Sequence, residues 1–203
     1  MYKAIGFDMG GVIIAFSIPH QIDVISHELR VPYDQVEAAY RELRPKLDVA
    51  AMTNQEFWAE LLRRVGSQAD AASTEHIWSD NYVRDNPFID GMLALVARLK
   101  ANGYKVGLLS NIDQEHADLN RDRHIYDRFD VALLSDELHA RKPDGEAFQD
   151  LAAALEVQPA ELVFIDDLAE NVAGAEQFGA TGILFRGYSD LIRQLDSLGI
   201  NAK

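Results

Sequence analysis

Four short segments carry side chains whose types and order suit covalent or metal-assisted chemistry: Asp8 with Gly10-Gly11, Ser110-Asn111, Lys142-Pro143, and the adjacent pair Asp166-Asp167. A carboxylate serves as a nucleophile, and several carboxylates together make a hard-oxygen site for a divalent cation. Neighbouring carboxylates closing an apolar run repel one another, for which a bound cation is a common remedy. An ammonium beside them offsets charge on a nucleophile or an incoming anion. Each segment also has a plainer reading. An Asp after a strand is often a turn former or a helix cap, and Gly10-Gly11 fits an ordinary tight turn. Ser110-Asn111 suits the cap of a following helix, and one of Asp166 and Asp167 suits a solvent-facing cap.

What would bring these segments together is the pattern of elements around them. Short aliphatic runs at residues 4–7, 106–109, 131–134, 162–165 and 182–185 read as buried strands, each followed by polar or turn residues. Helical patterns lie between the later ones. Pro87 is expected to open one that carries Met92, Leu95, Val96 and Leu99 and closes at Asn102-Gly103. Others cover 146–155 and 170–178, the last ending at Gly179. This alternation predicts a Rossmann-like, doubly wound parallel sheet covered on both faces, with the C-terminal ends of the strands on one edge. The four segments would then converge on one crevice.

Residues 15–86 break the alternation. Their apolar positions follow helical spacing at Ile22, Ile25 and Leu29, at Val36, Ala39, Tyr40 and Leu43, and at Phe57, Leu61, Leu62 and Val65. A fourth helix is expected over 71–83. This is a helical insertion, dividing the chain into a core of 1–14 and 87–203 and a second unit of 15–86. Trp58 and Trp78 fall at apolar positions of the insertion and are expected in its core. His27, His76, His116, His124 and His139 show no paired spacing and are expected at or near the surface.

Composition narrows the partners. The chain has 203 residues, no cysteine and a net charge of −14, which removes thiol chemistry and disfavours nucleic acid. No apolar run reaches the ~20 residues of a membrane-spanning helix, and no signal-peptide pattern precedes the first strand. A cytoplasmic protein, monomeric or homodimeric, is the expectation. An enzyme this acidic that handles phosphate needs local positive potential from a metal ion, a placed Lys or helix N-termini.

Asp, Ser-Asn, Lys-Pro and Asp-Asp, in that order and each tied to a strand end, resemble the motif series of the haloacid dehalogenase (HAD) superfamily. The resemblance covers essentially the whole chain, including the place of a helical cap after the first strand. Gly10, the run Asp166-Asp167-Leu168-Ala169-Glu170-Asn171 and the short insertion look most like the bacterial branch that includes sugar-1-phosphate phosphatases. The phosphatase half of soluble epoxide hydrolases is a further relative. The resemblance implies a Mg²⁺-dependent phosphatase of small phosphorylated metabolites. Asp8 would form an aspartyl-phosphate. Asp8, the backbone carbonyl of Gly10, Asp166 and Asp167 would hold Mg²⁺, with Asp167 favoured as the direct ligand of the pair. Ser110 and the amide after it at Asn111, with Gly11, would bind phosphoryl oxygens. Lys142 would offset their charge, and Asn171 would support the metal site.

One position departs from the pattern. Most phosphatases of this superfamily carry a second Asp two residues after the nucleophile, as the acid that protonates the leaving oxygen; here Gly10 stands there. General acid–base help is worth ~10²–10⁴-fold. A cap residue such as His20, an ordered water, or a substrate with a good leaving group would each close the gap. Two other functions stay open: a metal-independent 2-haloacid dehalogenase, and a non-catalytic phosphate-binding or regulatory protein.

Overall fold

The computed structural model describes residues 1–74 and 76–202. Five parallel strands form one sheet: β1 (Ala4–Phe7), β2 (Lys105–Ser110), β3 (Val131–Leu134), β4 (Leu162–Asp166) and β5 (Thr181–Leu184), in the order β3-β2-β1-β4-β5. Parallel strands are covered on both faces, and accordingly β1 and β4 are buried at every residue. Side chains alternate between two cores. Ile5, Phe7, Val106, Leu108, Val163 and Ile165 join one, while Ala4, Leu109, Leu162 and Phe164 join the other.

Between β1 and the rest of the sheet lie α1 (Ile18–Leu29), α2 (Tyr33–Leu47), α3 (Asn54–Arg64), α4 (Ala71–Thr74) and α5 (His76–Asp85). The first three are positioned by an apolar cluster of their own, in which Ile22, Val36, Tyr40, Phe57, Trp58 and Leu61 meet. Thr53 caps α3 in a reciprocal box with Glu56. Glu75, inside the helix expected at 71–83, lies outside the described residues, as do the side chains of His76 and Trp78.

After α5 come α6 (Met92–Ala101), α7 (Gln114–Asp122), α8 (Ser135–Leu138), α9 (Gly145–Ala154), α10 (Ala169–Phe178) and α11 (Tyr188–Ser197). Helix α6 begins five residues later than Pro87 suggests. Residues 87–89 are held extended instead: the N–H of Ala15 donates to the Pro87 carbonyl, that of Ile89 donates to Ile13, and Ile14 and Phe88 form an antiparallel bridge. The two passages between sheet and helical segment are thereby pinned side by side.

Candidate active site

Register fixes the site. Phe7 pairs with both Leu108 and Ile165, so Asp8 stands level with Leu109 and Asp166, and Ser110 one step beyond. Asp8 continues the β1 ladder by donating its N–H to the Ile165 carbonyl at 2.8 Å. The chain then turns sharply, with the N–H groups of Ile13 and Ile14 both donating to the Met9 carbonyl. Gly11 lies in this turn at φ 77°, and a Cβ there would fall 2.3 Å from Asp167 Oδ2, so both the conformation and the close approach of Asp167 call for glycine.

Asp8, Asp166 and Asp167 come together, each offering an oxygen within 4.8 Å of the others. Lys142 bridges two of them, its Nζ 2.5 Å from Asp8 Oδ1 and 2.8 Å from Asp166 Oδ2. Asp166 also accepts from Asn171 Nδ2 at 3.1 Å and from the Leu168 N–H at 2.9 Å. Both its oxygens are therefore engaged, which leaves Asp8 and Asp167 as the more open donors.

The electrostatics match this crowding. Burial pushes the Asp8 carboxyl well above its ordinary range; Lys142 opposes this, and the charges of Asp166 and Asp167 add to it. Asp167 is raised to about 6 by burial and by Asp166. Burial by itself would lower the Lys142 ammonium, yet Asp166 and Asp8 hold it above its ordinary value. The result is a fixed cation inside a nest of carboxylates that one cation does not fully balance.

Ser110 is buried at the end of β2 and lines the crevice, and its hydroxyl takes no hydrogen-bond partner among the described residues. The Asn111 side chain is spent elsewhere. Its Nδ2 donates to the Lys142 carbonyl and its Oδ1 accepts from the Lys142 N–H, both at 2.8 Å, which clamps the loop that carries the lysine. Gly10 lines the crevice, and a Cβ on it would lie 3.1 Å from Cδ1 of Phe16, so Phe16 occupies the space beside the missing acid. His20 is exposed, 3.5 Å from Asp85, and does not line the crevice.

The crevice encloses about 730 Å³ between the strand ends and α2. Its α2 side holds residues that sequence reasoning left unassigned. Arg44 joins Asp48 at 2.6 Å and Asp113 at 3.1 Å, and Arg141 joins Asp48 at 3.2 Å. Asp113 in turn meets His116 at 2.6 Å, and His116 is 2% exposed rather than at the surface. Burial opposes the charge on Asp113, but His116 and Arg44 hold its carboxyl well below the usual range. The available signal was Arg44 itself, a cation four residues after Tyr40 on the apolar face of α2.

Over 208 residues the chain is 28% identical to "Phosphatase MT3486" of Mycobacterium tuberculosis (strain CDC 1551 / Oshkosh), covering 97% of this chain and 95% of that protein. Its fold is similar to that of HAD family enzyme bt-2542 from Bacteroides thetaiotaomicron, solved in complex with magnesium and inorganic phosphate (TM-score 0.77, 22% identity, 95% of this chain and 100% of that one). It is also similar to L-2-haloacid dehalogenase from Xanthobacter autotrophicus with chloropropionic acid covalently bound (TM-score 0.65, 19% identity, 98% and 84%). The family model described as haloacid dehalogenase-like hydrolase matches residues 2–179, which takes in all four strand-end segments, and the chain belongs to that family.

Proposed function

We propose that the chain is a Mg²⁺-dependent phosphatase of small phosphorylated metabolites, with residues 15–86 forming a cap over the crevice. The observation that carries this reading is the third carboxylate: Asp167, raised in pKa by burial and by Asp166, joins Asp8 and Asp166 in a donor set of hard oxygens that one lysine does not fully balance. Such a set fits Mg²⁺, which favours oxygen ligands and retains waters. Asp8, Asp167, the Gly10 carbonyl and Asp166 would hold the ion. When bound it supplies Lewis-acid neutralisation of charge between nucleophile and phosphoryl group. The named phosphatase relative and the neighbour solved with magnesium and phosphate support the same reading.

The chain's own residues account for the rest of the chemistry. An oxygen of Asp8 attacks phosphorus while the ester P–O bond breaks, and the leaving group departs as an alkoxide that then takes a proton from solvent. Water then attacks phosphorus, phosphate departs, and the Asp8 carboxylate is restored. Lys142 holds Asp8 in place and offsets its charge, while the Ser110 hydroxyl and the backbone N–H of Asn111 donate to phosphoryl oxygens.

Purified protein supplied with Mg²⁺ should hydrolyse members of a phosphate monoester panel. Asp8→Asn should lower that rate by at least about 10³-fold with the fold intact by circular dichroism. EDTA should abolish turnover and Mg²⁺ should restore it. Release of halide from a 2-haloacid at a rate indifferent to EDTA would replace this reading with the dehalogenase.

A further inference from the structure

We propose that the α2 side of the crevice binds a second anionic group of the substrate, with Arg141 making the contact and Arg41 reinforcing it at the rim. The preferred substrates are then phosphate monoesters that carry a carboxylate or a second phosphate, an inference that rests on the phosphatase reading above. Three guanidiniums, Arg41, Arg44 and Arg141, line this side and are paired with Glu37, Asp48 and Asp113, so in a chain of charge −14 this wall is locally balanced, and an anion would meet its guanidinium forks.

The three arginines are not equivalent. Arg44 is committed to the fold: it is 12% exposed and shared between Asp48 and Asp113, tying α2 to the loop after β2. Asp48 is buried, divided between Arg44 and Arg141. Arg141 pairs with Asp48 at 3.2 Å, its one ion pair among the described residues, and its side chain is 29% exposed where it lines the crevice. A guanidinium carries five donors in a planar fork that matches carboxylate or phosphate oxygens. Arg41 is 61% exposed, steered by Glu37 one turn earlier on α2. Arg141 also directly precedes Lys142, whose Nζ touches the nucleophile. Asp8 and Arg141 line the same crevice, so a substrate with its phosphoryl group at Asp8 can extend its alcohol half toward this guanidinium.

The test is a ratio of affinities. Glycerol 3-phosphate, 3-phosphoglycerate and 1,3-propanediol bisphosphate are titrated calorimetrically, with Mg²⁺, into the Asp8→Asn variant, which leaves the esters intact. At least one of the two esters with a second anion should bind roughly tenfold or more tightly than the first; which of them does identifies the group as carboxylate or phosphate. Adding Arg141→Gln should shrink that ratio to about threefold or less, and Arg41→Gln should shrink it by a smaller factor. A ratio near one before either substitution overturns the proposal. So does a ratio that survives Arg141→Gln, or an equal loss for all three esters, which would place Arg141 on the transferred phosphoryl group. Should Arg141→Gln fail to fold, the exposed Arg41→Gln decides. The phosphatase reading fails separately, if wild-type protein with Mg²⁺ hydrolyses none of these esters nor p-nitrophenyl phosphate.

Discussion

A side chain at position 10 would press on Phe16, and Gly10 leaves no acid on the β1 turn to protonate a departing alkoxide. Among the other carboxylates lining the crevice, Asp48 is tied to arginines, Asp8 and Asp167 belong to the carboxylate nest, and Glu170 is exposed in the first turn of α10. Bond breaking then depends on the leaving group's own stability as an anion. Turnover across a series of aryl and alkyl phosphates should fall steeply as the leaving group becomes more basic, over a range of about 10²-fold or more. A nearly flat series measured with Mg²⁺ at saturation would mean that an acid is at work elsewhere in the site. At this scale the sequence was informative about residue type and less so about the direction a side chain faces. Asp8, Lys142 and Asp166 can be picked out because their order along the chain fits one site, although each alone has a plainer reading. An amide such as Asn111 both donates and accepts, and its commitment to the Lys142 backbone depends on a loop 31 residues away.

Between elements, the site depends on loops that fasten to one another. The two Asn111–Lys142 hydrogen bonds join the end of β2 to the loop ahead of α9, and Ser135 Oγ accepts from the Ile112 N–H at 2.9 Å to secure the same turn to the end of β3. Asn111→Ala removes both clamps at once. It should lower stability by about 1–3 kcal/mol, a melting shift of several degrees, and reduce kcat/KM by roughly 10–100-fold as Lys142 loses its position. Unchanged kcat/KM in a folded variant would show that the lysine is placed without the clamp. Strands of the sheet were legible because burial on both faces writes them as unbroken apolar runs. The true start of α6 was not, because residues 87–89 are extended by pairing with 13–15, a contact local patterning does not encode. The burial of His116 is hidden for the same reason, since Arg44, the cation that shares Asp113 with it, lies on α2.

For the molecule as a whole, the carboxylate nest links stability to pH and to metal. Asp8 and Asp167 bind protons more tightly in the folded protein than in the unfolded chain, so they contribute stability that is complete at low pH. That contribution is lost as pH rises through about 6 for Asp167 and beyond it for Asp8. Surface carboxylates held low by arginines, such as Glu60 at about 2, are already ionised in this window and do not offset the loss. The melting temperature of EDTA-treated protein should therefore fall between about pH 5 and about pH 8, and saturating Mg²⁺ should remove most of that fall. A chelated protein whose melting temperature is flat or rises over the range would contradict the electrostatic description of the site. The role of Asp8 is open to a still more direct measurement. Protein turning over p-nitrophenyl phosphate is quenched with acid at successive times, treated with borohydride, which reduces an acyl phosphate to homoserine, and digested for mass spectrometry. The expected result is homoserine at position 8, absent without substrate. Turnover in which that peptide keeps an unmodified aspartate at every time point, with the phosphoryl label found on another residue or on none, would contradict the mechanism.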